Sequence, residues 1–103
     1  MSETQSTTRP IQEALEKAGY FCMRLNSGVA KVAGRRIRLC PKGTADLLVC
    51  PPYKMPIWCE TKTVGGRTNP EQVKAQADFA YKVESLGHRY IRVTSLDDVL
   101  GVL

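Results

Sequence analysis

Three charged residues lie within or at the start of otherwise apolar segments, where their types and spacing could do chemistry. Asp46 is near the start of the segment ADLLVC, and Glu60 and Lys62 lie two positions apart in the segment IWCETKT. Because successive side chains of a strand point to opposite faces, we expect Glu60 and Lys62 to share one face. If the two segments are paired neighbours in a sheet, Asp46 and Glu60 converge within a few ångströms.

Two carboxylates that lie so close together need a cation between them, because otherwise their repulsion makes one of them take up a proton. A divalent cation with oxygen ligands removes this conflict, polarises a phosphate and lowers the pKa of its bound water. Lys62 and Gln72 are the polar groups that could hold the attacking water. The residue types therefore predict metal-dependent phosphodiester hydrolysis. The alternative is an exposed Glu60–Lys62 ion pair on an edge strand, which would contribute little to stability.

Hydrophobic periodicity and turn residues predict the elements that position these side chains. We predict helices over residues 10–18, about 70–86 and about 96–102, and strands over residues 20–25, 36–40, 45–50, 57–63 and 89–94. Residues 29–35 are predicted to be a basic connection. Asn69 and Pro70 are typical of a helix start, and the core-facing residues predicted for this helix are Val73, Ala77, Ala80 and Val83. The order predicts an α/β fold with a mixed central sheet flanked by helices.

Composition favours a single small domain with a polyanionic partner. The 103 residues are 43% hydrophobic and have 15 Lys plus Arg against 10 Asp plus Glu, a formal net charge of +5. We expect a polar segment over residues 1–9 and one domain over residues 10–103. The sequence has neither an apolar run long enough to span a membrane nor a signal peptide, so we expect a cytoplasmic protein. The four cysteines form no C-x-x-C pair, which favours reduced thiols over a zinc site.

The motifs resemble a known group of nucleases. Residues 43–46 (GTAD), followed after a turn by residues 60–62 (ETK), resemble the PD-(D/E)XK superfamily, and within it the VRR-NUC (virus-type replication-repair nuclease) family. Residues 24–28, 66–72 and 86–87 also fit that family. The resemblance covers the chain from about residue 10 onward. It implies a restriction-endonuclease-like core with the element order αβββαβ, which agrees with the predicted order.

The resemblance also implies roles for the site residues. Asp46 and Glu60 would bind Mg²⁺ or Mn²⁺ together with the backbone carbonyl of Thr61, Lys62 would be the catalytic lysine, and Gln72 would match the family's helix glutamine. An alternative role for Gln72 is helix capping.

Two departures from the family pattern concern the residue before the aspartate and the acid of the first helix. Ala45 stands where the family name suggests proline, at a position that shapes the backbone without touching the metal. The family usually has a glutamate in its first helix, and here either Glu13 or Glu3 could take that place. Either could equally be a solvated surface acid.

The implied substrate is DNA, bound through its phosphates. The expected DNA-binding residues are Arg24, Asn26, Ser27, Arg36, Lys42, Arg67 and Lys74. The resemblance implies a structure-specific endonuclease that cuts branched DNA, including Holliday junctions, as a homodimer. One alternative is a nickase or repair-type nuclease acting on duplexes or flaps. Another is a basic DNA-binding accessory protein without catalytic activity.

Overall fold

The computed structural model describes residues 8–25, 29–62 and 69–101. In chain order its elements are α1 (Arg9–Lys17), β1 (Phe21–Arg24), β2 (Val29–Val32), β3 (Arg35–Arg38), β4 (Leu47–Cys50), β5 (Ile57–Thr61), α2 (Pro70–Ser85), β6 (Arg89–Val93) and α3 (Leu96–Leu100). Without β2 and β3, the order from α1 to β6 is the predicted αβββαβ. Among the described helices, none has the length and apolar character needed to cross a membrane.

Four strands form the central sheet in the order β1-β4-β5-β6. The β1–β4 and β4–β5 pairs are antiparallel, whereas β5 and β6 are parallel because α2 connects them. The predicted mixed sheet is therefore confirmed. The two strands that carry the acidic motifs, β4 and β5, are neighbours in the middle of this sheet.

Helices cover both faces of the central sheet. On one face α1 and α3 pack over an apolar core that includes Leu15, Leu47, Ile57 and Val99, all fully buried. On the other face lies α2, from which Phe79 makes an edge-to-face contact with Trp58 of β5 at a ring-centroid distance of 5.3 Å. Since side chains alternate along β5, Trp58 and Glu60 point toward α2 while Ile57 and Cys59 point into the apolar core.

The prediction of a basic connection over residues 29–35 is wrong, because these residues form β2, the following turn and the first residue of β3. β2 and β3 pair as a separate antiparallel hairpin, called here the β2–β3 hairpin. Its turn residues Ala33 and Gly34 have φ of 52° and 78°, as a two-residue hairpin turn with the twist of the strands requires. Alanine is not typical of that turn position, so the sequence did not reveal the hairpin. The strand that was predicted to reach Cys40 ends at Arg38.

The buried stripe of α2 differs from the predicted one. Val83 is buried as expected, but the second buried residue of this helix is Gln76. Val73 is 39% exposed, and Ala77 is exposed. Gln76 and Val83 are separated by two helical turns and therefore share a face, so the face of α2 that meets the sheet includes an amide side chain.

All four cysteines are free thiols, in agreement with the sequence prediction. Cys22 and Cys59 are buried, and this burial raises the pKa of Cys59 to about 12 and that of Cys22 to about 11. The nearby carboxylates of Asp46 and Glu60 raise the pKa of Cys59 further. Both thiols remain protonated near neutral pH and act as small apolar groups in the sheet.

Candidate active site

A cleft of about 300 Å³ opens between the end of the central sheet and α2. The register of β4 and β5 pairs Leu47 with Cys59, and Asp46 and Glu60 are the next residues beyond this pair on the two segments. Both acids line the cleft. The residues lining the cleft are Arg38, Lys42, Gly43, Thr44, Asp46, Glu60, Asn69, Gln72 and Gln76.

The carboxylate of Asp46 is held by Thr61. Both the backbone N–H and the side-chain hydroxyl of Thr61 donate to Asp46 Oδ2, each at 2.9 Å. Because the Thr61 hydroxyl gives its single proton to Asp46, Thr8 must be the donor in its own hydroxyl contact with Thr61. Thr8 is buried just before α1, so this chain of hydrogen bonds connects the start of that helix to the site.

Glu60 is the most buried charged group of the cleft, with 2% of its surface exposed. The Nε2 of Gln76 donates to its Oε1 at 2.9 Å, and Lys62 Nζ lies 3.6 Å from the same oxygen. Lys62 itself is only 15% exposed in its side chain. The alternative of an exposed pair on an edge strand is therefore wrong, since β5 lies between β4 and β6 and Glu60 is covered by α2.

The donor set of the cleft fits a hard divalent cation. Asp46 and Glu60 supply two carboxylates from facing strands, and Gln76 Oε1 is a buried amide oxygen that accepts no hydrogen bond from the described residues. Carboxylate and amide oxygens are the ligands that such cations prefer. Within residues 8–25, 29–62 and 69–101, no group of three or more Asp, Glu, His or Cys side chains gathers. Among the described residues, the oxygens that could complete the shell of an ion beside the two acids are neutral ones such as Gln76 Oε1.

The negative charge in the cleft affects Tyr90 on the neighbouring strand β6. Burial raises the pKa of Tyr90 to about 12, and the Glu60 carboxylate is the next largest cause. Tyr90 on β6 pairs in register with Trp58 on β5, and it packs beside Phe79 of α2. Its phenol therefore stays protonated near neutral pH.

The glutamine that contacts Glu60 is Gln76, one helical turn after the predicted Gln72. Gln72 lines the cleft but is exposed near the start of α2, where Asn69 caps the helix by accepting a hydrogen bond from the Glu71 N–H at 2.8 Å. Gln76 lies seven residues before Val83 and shares its face, but the stripe predicted from the sequence passes through Ala77 and Ala80 and does not include it.

Of the two candidates for a first-helix acid, Glu13 is described by the structure and does not line the cleft. Glu13 is exposed on α1 and pairs with Arg9 at 3.6 Å. Glu3 lies outside the described residues. The residue just before α1 that connects to the site is Thr8, a polar and neutral residue whose hydroxyl contacts the Thr61 hydroxyl. Thr8 and Arg9 also extend the folded region into the segment assigned above to a polar N-terminus.

The predicted DNA-binding residues fall into three groups. Lys42 lines the cleft and pairs with Glu71 at 3.4 Å. Arg24, Arg36 and Lys74 are exposed on β1, β3 and α2, outside the cleft lining. The remaining three, Asn26, Ser27 and Arg67, lie outside the described residues. Arg38 also lines the cleft, from the end of β3.

The turn before Asp46 is shaped by a glycine. Gly43 has φ of +89°, and a Cβ atom there would overlap the backbone carbonyl of Ala75 in α2. Thr44 closes the turn through its N–H and hydroxyl, which both donate to the carbonyl of Pro41. The close approach of this turn to α2 brings Asp46 and the helix that carries Gln76 to the same cleft.

The molecule has an α/β fold in which a mixed sheet carries helices on both faces and two acids line a cleft at one end of its central strands. A solved structure described as "VRR_NUC domain" is similar to this chain with a TM-score of 0.61 and 19% sequence identity, over 99% of this chain and 95% of that one. The fold is therefore that of a VRR_NUC domain, as the sequence motifs predicted. Comparison with protein-family models and with curated protein sequences gives no match.

Proposed function

We propose that this protein is a metal-dependent nuclease that hydrolyses phosphodiester bonds in DNA. The observation that carries the proposal is an open cleft lined by Asp46 and Glu60, with the Lys62 ammonium 3.6 Å from Glu60, in the fold of a VRR_NUC domain. The opposing strands supply the two acids, and α2 supplies the amide of Gln76. This combination matches what a divalent ion and an attacking water require in phosphoryl chemistry.

Different residues have different roles in the proposed reaction. A divalent ion bound by Asp46, Glu60 and the Thr61 carbonyl would polarise the phosphate and lower the pKa of a bound water. Thr61 keeps the Asp46 carboxylate in place through its two hydrogen bonds. The ammonium of Lys62 lies 3.6 Å from Glu60 Oε1, where it can donate a hydrogen bond to the attacking water or to a phosphoryl oxygen.

Gln76 is the positioning residue of this mechanism. Its Nε2 fixes one oxygen of Glu60, while its own Oε1 remains as a buried acceptor at the cleft. It can therefore hold Glu60 in the geometry that binds the ion, and accept a hydrogen bond from a water in the ion's shell. Gln72, at the mouth of the cleft, keeps its proposed role as a polar contact to that water or to the substrate.

Positive charges at the rim would receive the DNA backbone. Arg38 and Lys42 line the same cleft as the two acids. They can contact phosphates beside the scissile one, while the acids are neutralised by the bound ion. The other proposed contacts, Arg24, Arg36, Lys74, Asn26, Ser27 and Arg67, would extend this surface.

The preferred substrate that we propose is branched DNA, including four-way junctions, cut by a homodimer. Two cuts related by symmetry require two sites related by a two-fold axis. The family resemblance and the small size of the proposed domain, residues 10–103, support this choice. We further propose that the reaction takes place in a cytoplasm.

A panel of labelled DNAs tests the proposal. We expect cleavage in Mg²⁺ or Mn²⁺ and none in EDTA, with a four-way junction cut faster than a flap, a splayed arm or a linear duplex of the same length. Sedimentation of the protein with the junction should give two chains per junction. Faster cleavage of linear duplex would contradict the junction preference, and no cleavage of any substrate with either metal would contradict the nuclease.

The two glutamines of α2 allow a matched comparison. Gln76→Ala should lower the single-turnover cleavage rate about 10- to 100-fold, the usual effect of losing a group that orients a metal ligand. Gln72→Ala should have a smaller effect, because its side chain lies exposed at the cleft mouth. The check is the single-turnover rate against Mg²⁺ concentration for both variants. A larger loss in Gln72→Ala would reverse the assignment.

A further inference from the structure

The positive charge of this protein is concentrated in one stretch of the chain. Residues 17–45 contain seven of the fifteen Lys and Arg residues and none of the ten Asp and Glu residues. The rest of the chain has eight basic and ten acidic residues, and is therefore slightly acidic. The net charge of +5 thus belongs to the region that includes β1, the β2–β3 hairpin and the loop leading to Asp46.

The strand register sorts the side chains of the β2–β3 hairpin into two unlike faces. Opposite pairs share a face and successive pairs alternate. The pairs Lys31↔Arg36 and Val29↔Arg38 therefore lie on one face, which we call the basic face. The pairs Ala30↔Ile37 and Val32↔Arg35 lie on the other face, which has a single charge, next to the turn.

The basic face is continuous with the candidate active site. Arg38 is at once the last residue of β3 and part of the cleft lining. Arg36 follows two residues away on the same face, about 7 Å along the strand, and Lys31 lies opposite it. Three cations thus run from the cleft outward, and all three residues are exposed.

We propose that the basic face of the β2–β3 hairpin binds the phosphate backbone of the DNA duplex that flanks the scissile phosphate. This inference rests on the proposed nuclease function and identifies a surface that acts with its site. The occupant is a duplex polyanion because the charges are all of one sign, lie in a row and begin at the cleft. A two-stranded ribbon is also narrow enough to lie along a groove of a duplex. The other face of the hairpin, which includes Val32 and Ile37, points away from these three cations.

Neighbouring arginines on opposite faces provide a matched test. Arg36→Ala removes a charge from the basic face, whereas Arg35→Ala removes the same charge from the other face one residue away. Both positions are exposed, so neither change alters the core. The probe is a fluorescein-labelled duplex of about 24 base pairs in EDTA, which prevents cleavage, with binding followed by anisotropy from 50 to 200 mM NaCl.

We expect Arg36→Ala, and likewise Lys31→Ala, to weaken binding about fivefold and to reduce the slope of log K against log salt by roughly 0.9, the value for one lost phosphate contact on B-DNA. Arg35→Ala should bind like the wild type with an unchanged slope. Equal losses from Arg35→Ala and Arg36→Ala would overturn the face assignment. Unchanged binding in Arg36→Ala and Lys31→Ala would overturn the proposal altogether, and would mean that the charges only keep the strand edges from pairing with other chains.

The test of the hairpin proposal is independent of the test of the nuclease proposal, because DNA binding is measured without metal and DNA cleavage is measured with it. Wild-type cleavage together with unchanged Arg36→Ala binding would defeat the hairpin proposal and leave the nuclease intact. The reverse result, weakened Arg36→Ala binding in a protein that cuts nothing, would support the hairpin as a duplex-binding surface while defeating the nuclease. A duplex RNA of the same length that competes better than the DNA would overturn DNA as the occupant.

Discussion

Asp46→Asn is expected to lower the single-turnover rate of DNA cleavage by a factor on the order of 10³, without unfolding the protein. The amide oxygen of asparagine can replace Asp46 Oδ2 and still accept the two hydrogen bonds from Thr61. The amide NH₂ then stands where the second carboxylate oxygen was. The substitution therefore keeps the local packing and removes the negative charge and the oxygen that a cation needs.

A surface aspartate provides the control for this substitution. Asp78 is exposed on α2 and is not part of the cleft lining, so Asp78→Asn should cut at the wild-type rate. Lys62→Ala should lose activity about 10²- to 10⁴-fold, as expected for a group that transfers or directs a proton. Thermal unfolding followed by circular dichroism shows whether each variant is folded. A folded Asp46→Asn variant that cuts like Asp78→Asn would refute the role of Asp46.

Gly43→Ala is expected to destabilise the protein by about 3 kcal/mol and to lower cleavage as well. Two effects combine at this position. The φ of +89° is unfavourable for alanine, and the added Cβ would overlap the Ala75 carbonyl in α2. Because that atom belongs to the helix backbone, the helix or the turn has to move. Movement of the helix displaces Gln76 from Glu60, and movement of the turn displaces Asp46.

A substitution at Gly87 distinguishes the conformational effect of a positive φ from the steric effect of the added Cβ. Gly87 has the same φ of +89°, just after α2, but a Cβ atom there would meet nothing within 4 Å. Gly87→Ala should therefore cost about 1 kcal/mol through conformation alone and leave the cleavage rate unchanged. Urea unfolding and single-turnover cleavage of both variants check this expectation. Equal destabilisation by the two substitutions would show that the contact between Gly43 and α2 does not matter.

The sequence predicted the parts of the molecule that depend on local chemistry. Asp46, Glu60 and Lys62 stood out because charges are costly within apolar strands, and alternation along β5 placed Glu60 and Lys62 on one face. Asn69 and Pro70 marked the start of α2 by their capping chemistry. The element order that followed from such signals, together with the family resemblance, was sufficient to predict the fold.

The features that the sequence did not predict depend on packing between distant segments. The burial of Gln76 is decided by how α2 rotates on the sheet, and the apolar stripe of that helix is too weak to fix the rotation. The contact of Thr8 with Thr61 joins residues 53 positions apart. The β2–β3 hairpin was not predicted because alanine, here Ala33, is not typical of that turn position. Each of these features involves the surroundings of the acids and not the acids themselves.

The measurement that tests the central claim most directly is the single-turnover cleavage rate of a labelled four-way junction as a function of Mg²⁺ concentration, for the wild type and for Glu60→Gln. We predict a wild-type rate that rises with Mg²⁺ to saturation and falls to background in EDTA. For Glu60→Gln we predict a folded protein with no cleavage above background at any Mg²⁺ concentration. Cleavage by Glu60→Gln at the wild-type rate, or wild-type cleavage that persists in EDTA, would contradict a metal-dependent site built on Asp46 and Glu60.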